Sequence, residues 1–255
     1  KVILDGFYDV SEELQGISFL ETIAYAPILY NLSSSQLSSF EDYMYAVFAN
    51  DSSVPAGAGI TPAGKGIWSY NLTRTGNDSY YHDTTGVVSY NSTWHHNVLV
   101  PILQKTFSGD LGARFFGHNI HSYALHGEPL DMMFECAERS YNNSVAVATC
   151  ATLTDTVTVP YLLRPDDPVE NMRTFIYQPI LLTDAANINS ETKVVGVIGG
   201  SLNWKELLSG IMPQFVLGID SVITTSTGQF TFRFEHGQAN FVGLGDHHDS
   251  DYNSH

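Results

Sequence analysis

Over the first fifty residues the apolar positions recur at intervals of three and four. Leu14, Ile17, Phe19, Leu20, Ile23 and Ala24 follow this spacing, and Asp9 or Ser11 can cap the start, so the pattern predicts a helix over Ser11–Tyr30. Leu37, Phe40, Tyr43, Met44 and Val47 follow the polar run Ser-Ser-Ser-Gln and predict a second helix over Ser35–Ala49. The period then disappears. The stretch NDSSVPAGAGITPAGKG, Asn50 to Gly66, is rich in Gly, Pro and Ala and reads as a loop. Two short aromatic pieces, GIWSYNL and GVVSYNS, read as strands, and the polar TRTGNDSYYHDTT between them reads as exposed turns.

From residue 97 onward strands dominate. NVLVPILQKTF, Asn97–Phe107, is apolar with a central Pro101, which suits an edge strand or extended segment. Leu130, Met133, Phe134 and Ala137 share a helical face, which predicts a helix over Gly127–Arg139 with Pro129 tolerated in its first turn. Val145–Val159, Thr174–Leu182 and Lys193–Leu202 read as strands, and Asn203–Ile211 as a short helix ended by Pro213. Ile219–Thr225 and Gln229–Glu235 alternate about Ser-Thr-Gly, the signal of a hairpin. The predicted class is α+β: N-terminal helices and an aromatic Gly-rich region over residues 1–96, then an antiparallel sheet with intervening helices over residues 97–255.

Composition narrows the functions open to such a chain. Eleven basic against 27 acidic residues give a net charge of −16, a surface that repels phosphate backbones, so nucleic acid is excluded as an expected partner. The longest apolar run, VVGVIGG, is far short of the ~20 residues a membrane span needs. Lys1 in place of Met points to a piece of a longer chain. Six Asn-x-Ser/Thr sequons, at Asn31, Asn50, Asn71, Asn77, Asn91 and Asn142, suggest an extracellular glycoprotein. Plain Ser/Thr/Asn richness is the alternative source of those matches. Cys136 and Cys150 either close a short disulfide loop or remain as two buried thiols.

The motifs that suggest chemistry do not complete themselves. GITPAGKG matches Gly-x4-Gly-Lys, but Gly66 stands where a phosphate loop needs Ser or Thr. IGGSLN begins like a nucleophile elbow around Ser201, yet Asn203 replaces the second Gly. His118, His121 and His126 could supply two zinc ligands but lack a defined third, and polar side chains in a loop or at a strand end are the plainer reading. Asp246, His247, His248 and Asp249 in GLGDHHDSDY are dense enough to catch a cation, although the apolar scaffold that would hold them rigid stops at Leu244. A solvated segment leading out of the domain is the preferred reading there. No cofactor and no catalytic set is expected.

The later segments resemble a family. FFGHNIHSYALHGEPLDMMFECAE (Phe115–Glu138), then TFIYQPILL, KVVGVIGGSLNWKELLSGIMP and the closing GIDSVITTSTGQFTFRFEHGQANFVGLGDHHDSDY are similar to CHASE-like or Cache-like extracellular sensor domains of diatom and algal receptor-type nucleotide cyclases. Gly243, Gly245, Asp246, His248, Asp249 and Tyr252 fit the tail that stands before a membrane span in such receptors. The resemblance covers about residues 97–252. It implies a PAS-like sheet with long N-terminal helices, flanking membrane spans, a homodimer and an intracellular cyclase. The fragment itself is then a non-catalytic ligand sensor. Arg173, Tyr177, Gln178, Trp204 and Thr227 are the candidate pocket residues, Arg173 as partner for a ligand carboxylate and the aromatics as stacking surfaces. A secreted metal-dependent hydrolase and an adhesion or dimerisation ectodomain are the two rival classes.

Overall fold

The computed structural model describes residues 4–49, 65–70, 80–92, 98–106, 115–142, 150–156, 172–181, 194–226 and 228–248. Four helices and twelve strands occur among them. They are α1 (Phe7–Ile17), β1 (Leu20–Pro27), β2 (Leu29–Tyr30), α2 (Ser34–Ala49), β3 (Trp68–Tyr70), β4 (Tyr80–His82), β5 (Val98–Leu99), β6 (Gln104–Lys105), α3 (Ala124–Asn142), β7 (Thr152–Leu153), β8 (Arg173–Leu181), β9 (Val194–Asn203), α4 (Trp204–Ile211), β10 (Leu217–Thr225), β11 (Gly228–Glu235) and β12 (Gln238–Leu244). The class is α+β, with antiparallel pairing throughout the named strands.

The largest sheet has five strands in the order β6-β1-β9-β8-β7. β1 lies between β6 and β9, so a strand from the first 96 residues is enclosed by strands from the rest of the chain. One face of this sheet carries Ala24, Ala26, Phe175, Tyr177 and Val197 and packs with Leu130, Met133 and Phe134 of α3. The opposite face carries Ile23, Tyr25, Ile180 and Ile198 and packs with Phe7 of α1 and Met44 of α2. A three-stranded sheet, β10-β11-β12, closes over α4 through Phe230, Phe232, Phe234 and Leu208.

The helix expected over Ser11–Tyr30 is corrected by the structure. Only Phe7–Ile17 is helical, 11 residues rather than a long helix, and Leu20–Pro27 is β1. Both faces of β1 meet apolar layers, so its sequence lacks the clean apolar–polar alternation of a one-sided strand and mimics helical spacing. Long-range pairing decides the conformation. Ile23 and Tyr25 accept backbone hydrogen bonds from Thr106 and Leu103 of 2.8 and 2.9 Å, and Ala26 lies opposite Val197. Two further expectations shift. GVVSYNS is not a strand, since Asp83 and Gly86 fold it into a loop, whereas the supposed turn residues Tyr80–His82 form β4. β12 was not anticipated. Most of the loop 50–66 and residues 145–149 and 157–159 of the strand expected over Val145–Val159 lie outside the described residues; of the described part, Thr152–Leu153 is strand.

Glycines on β9 answer to aromatic neighbours. A Cβ at Gly196 would stand 2.7 Å from the Tyr25 ring, and one at Gly199 would stand 3.0 Å from the Tyr177 ring. Cys136 on α3 and Cys150 just before β7 are joined in a disulfide that ties the helix to the edge of the sheet. Replacing both with Ser should cost about 3 kcal/mol, the scale for a loop of this length, read as a lower denaturation midpoint. An unchanged midpoint in the double variant would show that the bond does not constrain the fold.

Candidate functional site

β1, β6, β8 and β9 carry one cavity of about 120 Å³ between the sheet and the segment Phe115–His126. Its walls are mostly apolar, with Ala24, Ala26, Ile102, Phe115, Ile120 and Val197 among them. Such a volume is close to the ~150 Å³ of an engineered apolar cavity that accepts benzene. The polar groups are few. They are the charged side chains of Glu21, Lys105 and Arg173, the rings of His118, His126 and Tyr177, and the hydroxyls of Thr22 and Ser201.

The arrangement begins with an irregularity in β1. The pairing of β1 with β9 shifts between Leu20 and Thr22, so Glu21 is an extra residue in the strand. Such bulges re-aim side chains. Here Glu21 and Thr22, which regular alternation would send to opposite faces, both line the cavity. Glu21 meets Arg173 across two strands in a bidentate ion pair, 2.6 Å to Nε and 2.8 Å to Nη2. Thr22 and Ser201 share a hydroxyl hydrogen bond of 2.7 Å, which ties up the side chain once considered as a nucleophile.

Lys105 lies opposite Ala24 in the β1–β6 pair. Its ammonium stands 4.4 Å from the centre of the Phe115 ring. No carboxylate pairs with it among the described residues. Burial pushes its pKa down to about 8; Glu21 opposes this and Arg173 adds to it. The two histidines at the cavity are neutral at physiological pH. Burial, reinforced by the charge of Lys105, lowers His126 to about 3. Burial holds His118 well below the ordinary range, with His126 and Lys105 adding to the effect. His126 Nδ1 and the Tyr177 hydroxyl are 2.7 Å apart. His118 stacks on Trp68 at 4.5 Å, and its Nε2 has no hydrogen-bond partner among the described residues.

The third histidine belongs to a separate network. His121 Nε2 meets Asp131 Oδ1 at 2.7 Å, and Asp131 Oδ2 accepts from Ser92 at 2.7 Å and Tyr90 at 3.1 Å. Burial alone would raise the Asp131 pKa, but the hydrogen bonds from His121, Ser92 and Tyr90 bring it below the ordinary carboxylate value. The network fastens the loop 83–92 to α3. All three histidines are buried, and among the described residues they do not gather with other ligating side chains into a metal-holding group.

The candidate pocket residues separate cleanly. Arg173 and Tyr177 line the cavity. Gln178 follows Tyr177 directly and alternates to the face that holds Ile180. Trp204 opens α4, packs with the three-stranded sheet and donates its indole N–H to Thr156 and Thr174 at 3.0 and 2.9 Å, so it pins β8 from outside the cavity. Thr227 lies outside the described residues. Lys105 and Glu21 were not anticipated. The one available sign was a lysine in the otherwise apolar NVLVPILQKTF.

At the C-terminal end, the His247 ring bonds the Leu244 carbonyl at 2.7 Å, and His248 pairs with Asp246. These contacts stay within the segment, and Asp249 lies outside the described residues. Among the described residues no group of three or more His, Cys, Asp or Glu side chains gathers as a metal site would require. No protein-family model matches the chain, and no curated protein matches it.

The neutral histidines give a pH prediction. A histidine whose folded pKa is depressed binds its proton in the unfolded chain first, so stability falls as pH drops below the unfolded value near 6.5. For His126 that loss runs from about 6.5 down to about 3. His118→Phe keeps a flat ring on Trp68 and removes one such group. Denaturation midpoints measured from pH 7 to 4 should fall less steeply in this variant than in the parent chain. Parallel slopes would place the His118 ring in water.

Proposed function

We propose that this chain is the ligand-sensing domain of a transmembrane receptor, that the cavity on its five-stranded sheet binds a small organic anion, and that the chain itself has no turnover. One observation carries the reading: an ammonium, Lys105, sits in a largely apolar cavity and has no carboxylate partner among the described residues. An ionised group removed from water is costly unless a counter-charge reaches it. Apolar walls with a few convergent polar groups are the usual make-up of a small-ligand pocket. A fixed structural role would be better served by an apolar residue at that position.

The same cavity offers a route for signalling. Gln15 of α1 donates from its side chain to the Glu21 carbonyl at 2.6 Å, and Glu21 holds Arg173. A ligand that favours one placement of β1 therefore favours one placement of α1. Transmission requires only that the ligand bind the two placements with different affinity. The PAS-like architecture, the homodimer, the flanking membrane spans and the intracellular nucleotide cyclase belong to the same proposal and rest on the resemblance of residues 97–252 to CHASE-like sensors. No described helix is long and apolar enough to cross a membrane, so the spans would lie elsewhere in the receptor. The Cys136–Cys150 disulfide and the exposure of Asn31 and Asn91 support an extracellular setting. Asn142 ends α3, and Asn50, Asn71 and Asn77 lie outside the described residues.

Lys105→Met separates ligand binding from folding. A screen of small carboxylates by thermal shift should find ligands that stabilise the parent chain, as mass action requires. The variant should lose that response while its ligand-free stability stays level or rises by about 1 kcal/mol, the scale seen when a functional group unfavourable to the fold is removed. A variant that is less stable without ligand yet binds as well as the parent would assign Lys105 a structural role. Secretion from a eukaryotic host should place glycans on Asn31 and Asn91, detected by mass shift after deglycosylation. Full-length chain with both sites bare would count against an extracellular location.

A further inference from the structure

We propose that Lys105 is a covalent capture site, whose side-chain amine condenses reversibly with a small apolar aldehyde in the cavity to form an imine. The proposal goes beyond the anion reading, because it concerns the uncharged amine. Lys105 lines a cavity of about 120 Å³ whose walls are mostly apolar. Its nitrogen stands 4.4 Å from the centre of the Phe115 ring, and no carboxylate lies within ion-pair distance of it among the described residues. The side chain keeps part of its surface exposed, as a reagent requires. An amine attacks a carbonyl only through its lone pair, so the ammonium is inert. A lysine in apolar surroundings gives up its proton more easily than one in water, which is how proteins activate this side chain as a nucleophile. With its pKa brought down by burial to about 8, about a tenth of Lys105 is free amine at pH 7, against roughly one part in 2,500 for an ordinary lysine. The charged and titratable groups around it are Glu21 of β1, Arg173 of β8, and His118, His126 and Tyr177. Glu21 favours the ammonium and Arg173 disfavours it, and burial outweighs both.

The step balances without a further reactant. The nitrogen lone pair forms a bond to the carbonyl carbon, the π pair of the C=O bond moves to oxygen, and one proton passes from nitrogen to that oxygen to give a carbinolamine. The hydroxyl then leaves as water with the second nitrogen proton, and a C=N bond remains. The neutral imine relieves the cavity of an ammonium held out of water. Size and polarity set the class of ligand. Walls from Ala24, Ala26, Ile102, Ile120 and Val197 suit a phenyl ring or a branched aliphatic chain. The reaction is stoichiometric and involves no turnover.

The test is reductive trapping. The full 255-residue chain is incubated with benzaldehyde or isovaleraldehyde and cyanoborohydride, which reduces an imine to a stable secondary amine, and the labelled lysines are mapped by peptide mass spectrometry. At pH 7, Lys105 should be labelled at least about tenfold faster than the exposed Lys65. Its rate should level off above pH about 8, whereas that of an ordinary amine rises until about 10.4. The preference should vanish in denaturant, and Lys105→Met should be labelled only at its remaining lysines. Labelling of Lys105 no faster than Lys65 in the folded chain would overturn the proposal. So would a preference that survives denaturation, since it would belong to the local sequence and not to the cavity. If Lys105→Met does not fold, the peptide maps of the folded and denatured parent chain decide the matter. A chain that responds to carboxylates in the thermal shift screen but traps no aldehyde at Lys105 keeps the anion reading and loses this one. Trapping at Lys105 without any carboxylate response would do the reverse.

Discussion

β1 hydrogen-bonds to β9 along most of its length and to β6 on its other side, and a strand fixed along both edges has one register open to it. A slip of one residue would turn Ala24 and Ala26 away from α3 and present Ile23 and Tyr25 to the wrong layer. The rest of the structure depends on this constraint. It unites the early and late parts of the chain in one sheet, leaves α1 packed beside the sheet, and sets Lys105 opposite Ala24. The one place where the register yields, at Glu21, is the place where a charge enters the cavity.

The electrostatics follow from that geometry. Among the described residues, charged side chains from β1, β6 and β8 meet at one largely apolar cavity, where Glu21 pairs with Arg173 and no carboxylate pairs with Lys105. The remaining ammonium is tolerated beside Phe115, where the ring face offers weak compensation. Its charge in turn helps to keep His118 and His126 neutral. Such a cost at one cavity is what the proposed ligand site would have to bear. Arg233 with Asp220 on the three-stranded sheet shows the ordinary alternative, a bidentate pair of 2.8 and 2.9 Å.

Much of the fold was legible in the sequence where the deciding contacts are short-range. α2, α4, β8, β9 and the β10–β11 hairpin lie within a residue or two of their expected bounds, because periodicity, caps and turn residues determine them locally. β1 was illegible because two apolar layers bury it from both sides and its partners lie about 80 and 180 residues away. The site divides in the same way. Arg173, Tyr177 and Gln178 were all candidates from one central strand; Arg173 and Tyr177 line the cavity, whereas Gln178, adjacent to Tyr177, alternates to the opposite face. Lys105 was hidden because its significance comes from the pairing with β1, and Glu21 because a bulge has no clear mark in a single sequence.

The central claim is that Lys105 is a desolvated ammonium awaiting an anion. Selective observation of its side-chain carbon resonance during a pH titration tests this directly, first in the free protein and then with a saturating small monocarboxylate. The account predicts a midpoint near 8 in the free protein. With the anion bound it predicts a midpoint raised toward the ordinary lysine value of about 10.4, since a bound counter-charge favours the protonated form. An ordinary midpoint in the free protein that does not move when the carboxylate is added would contradict it.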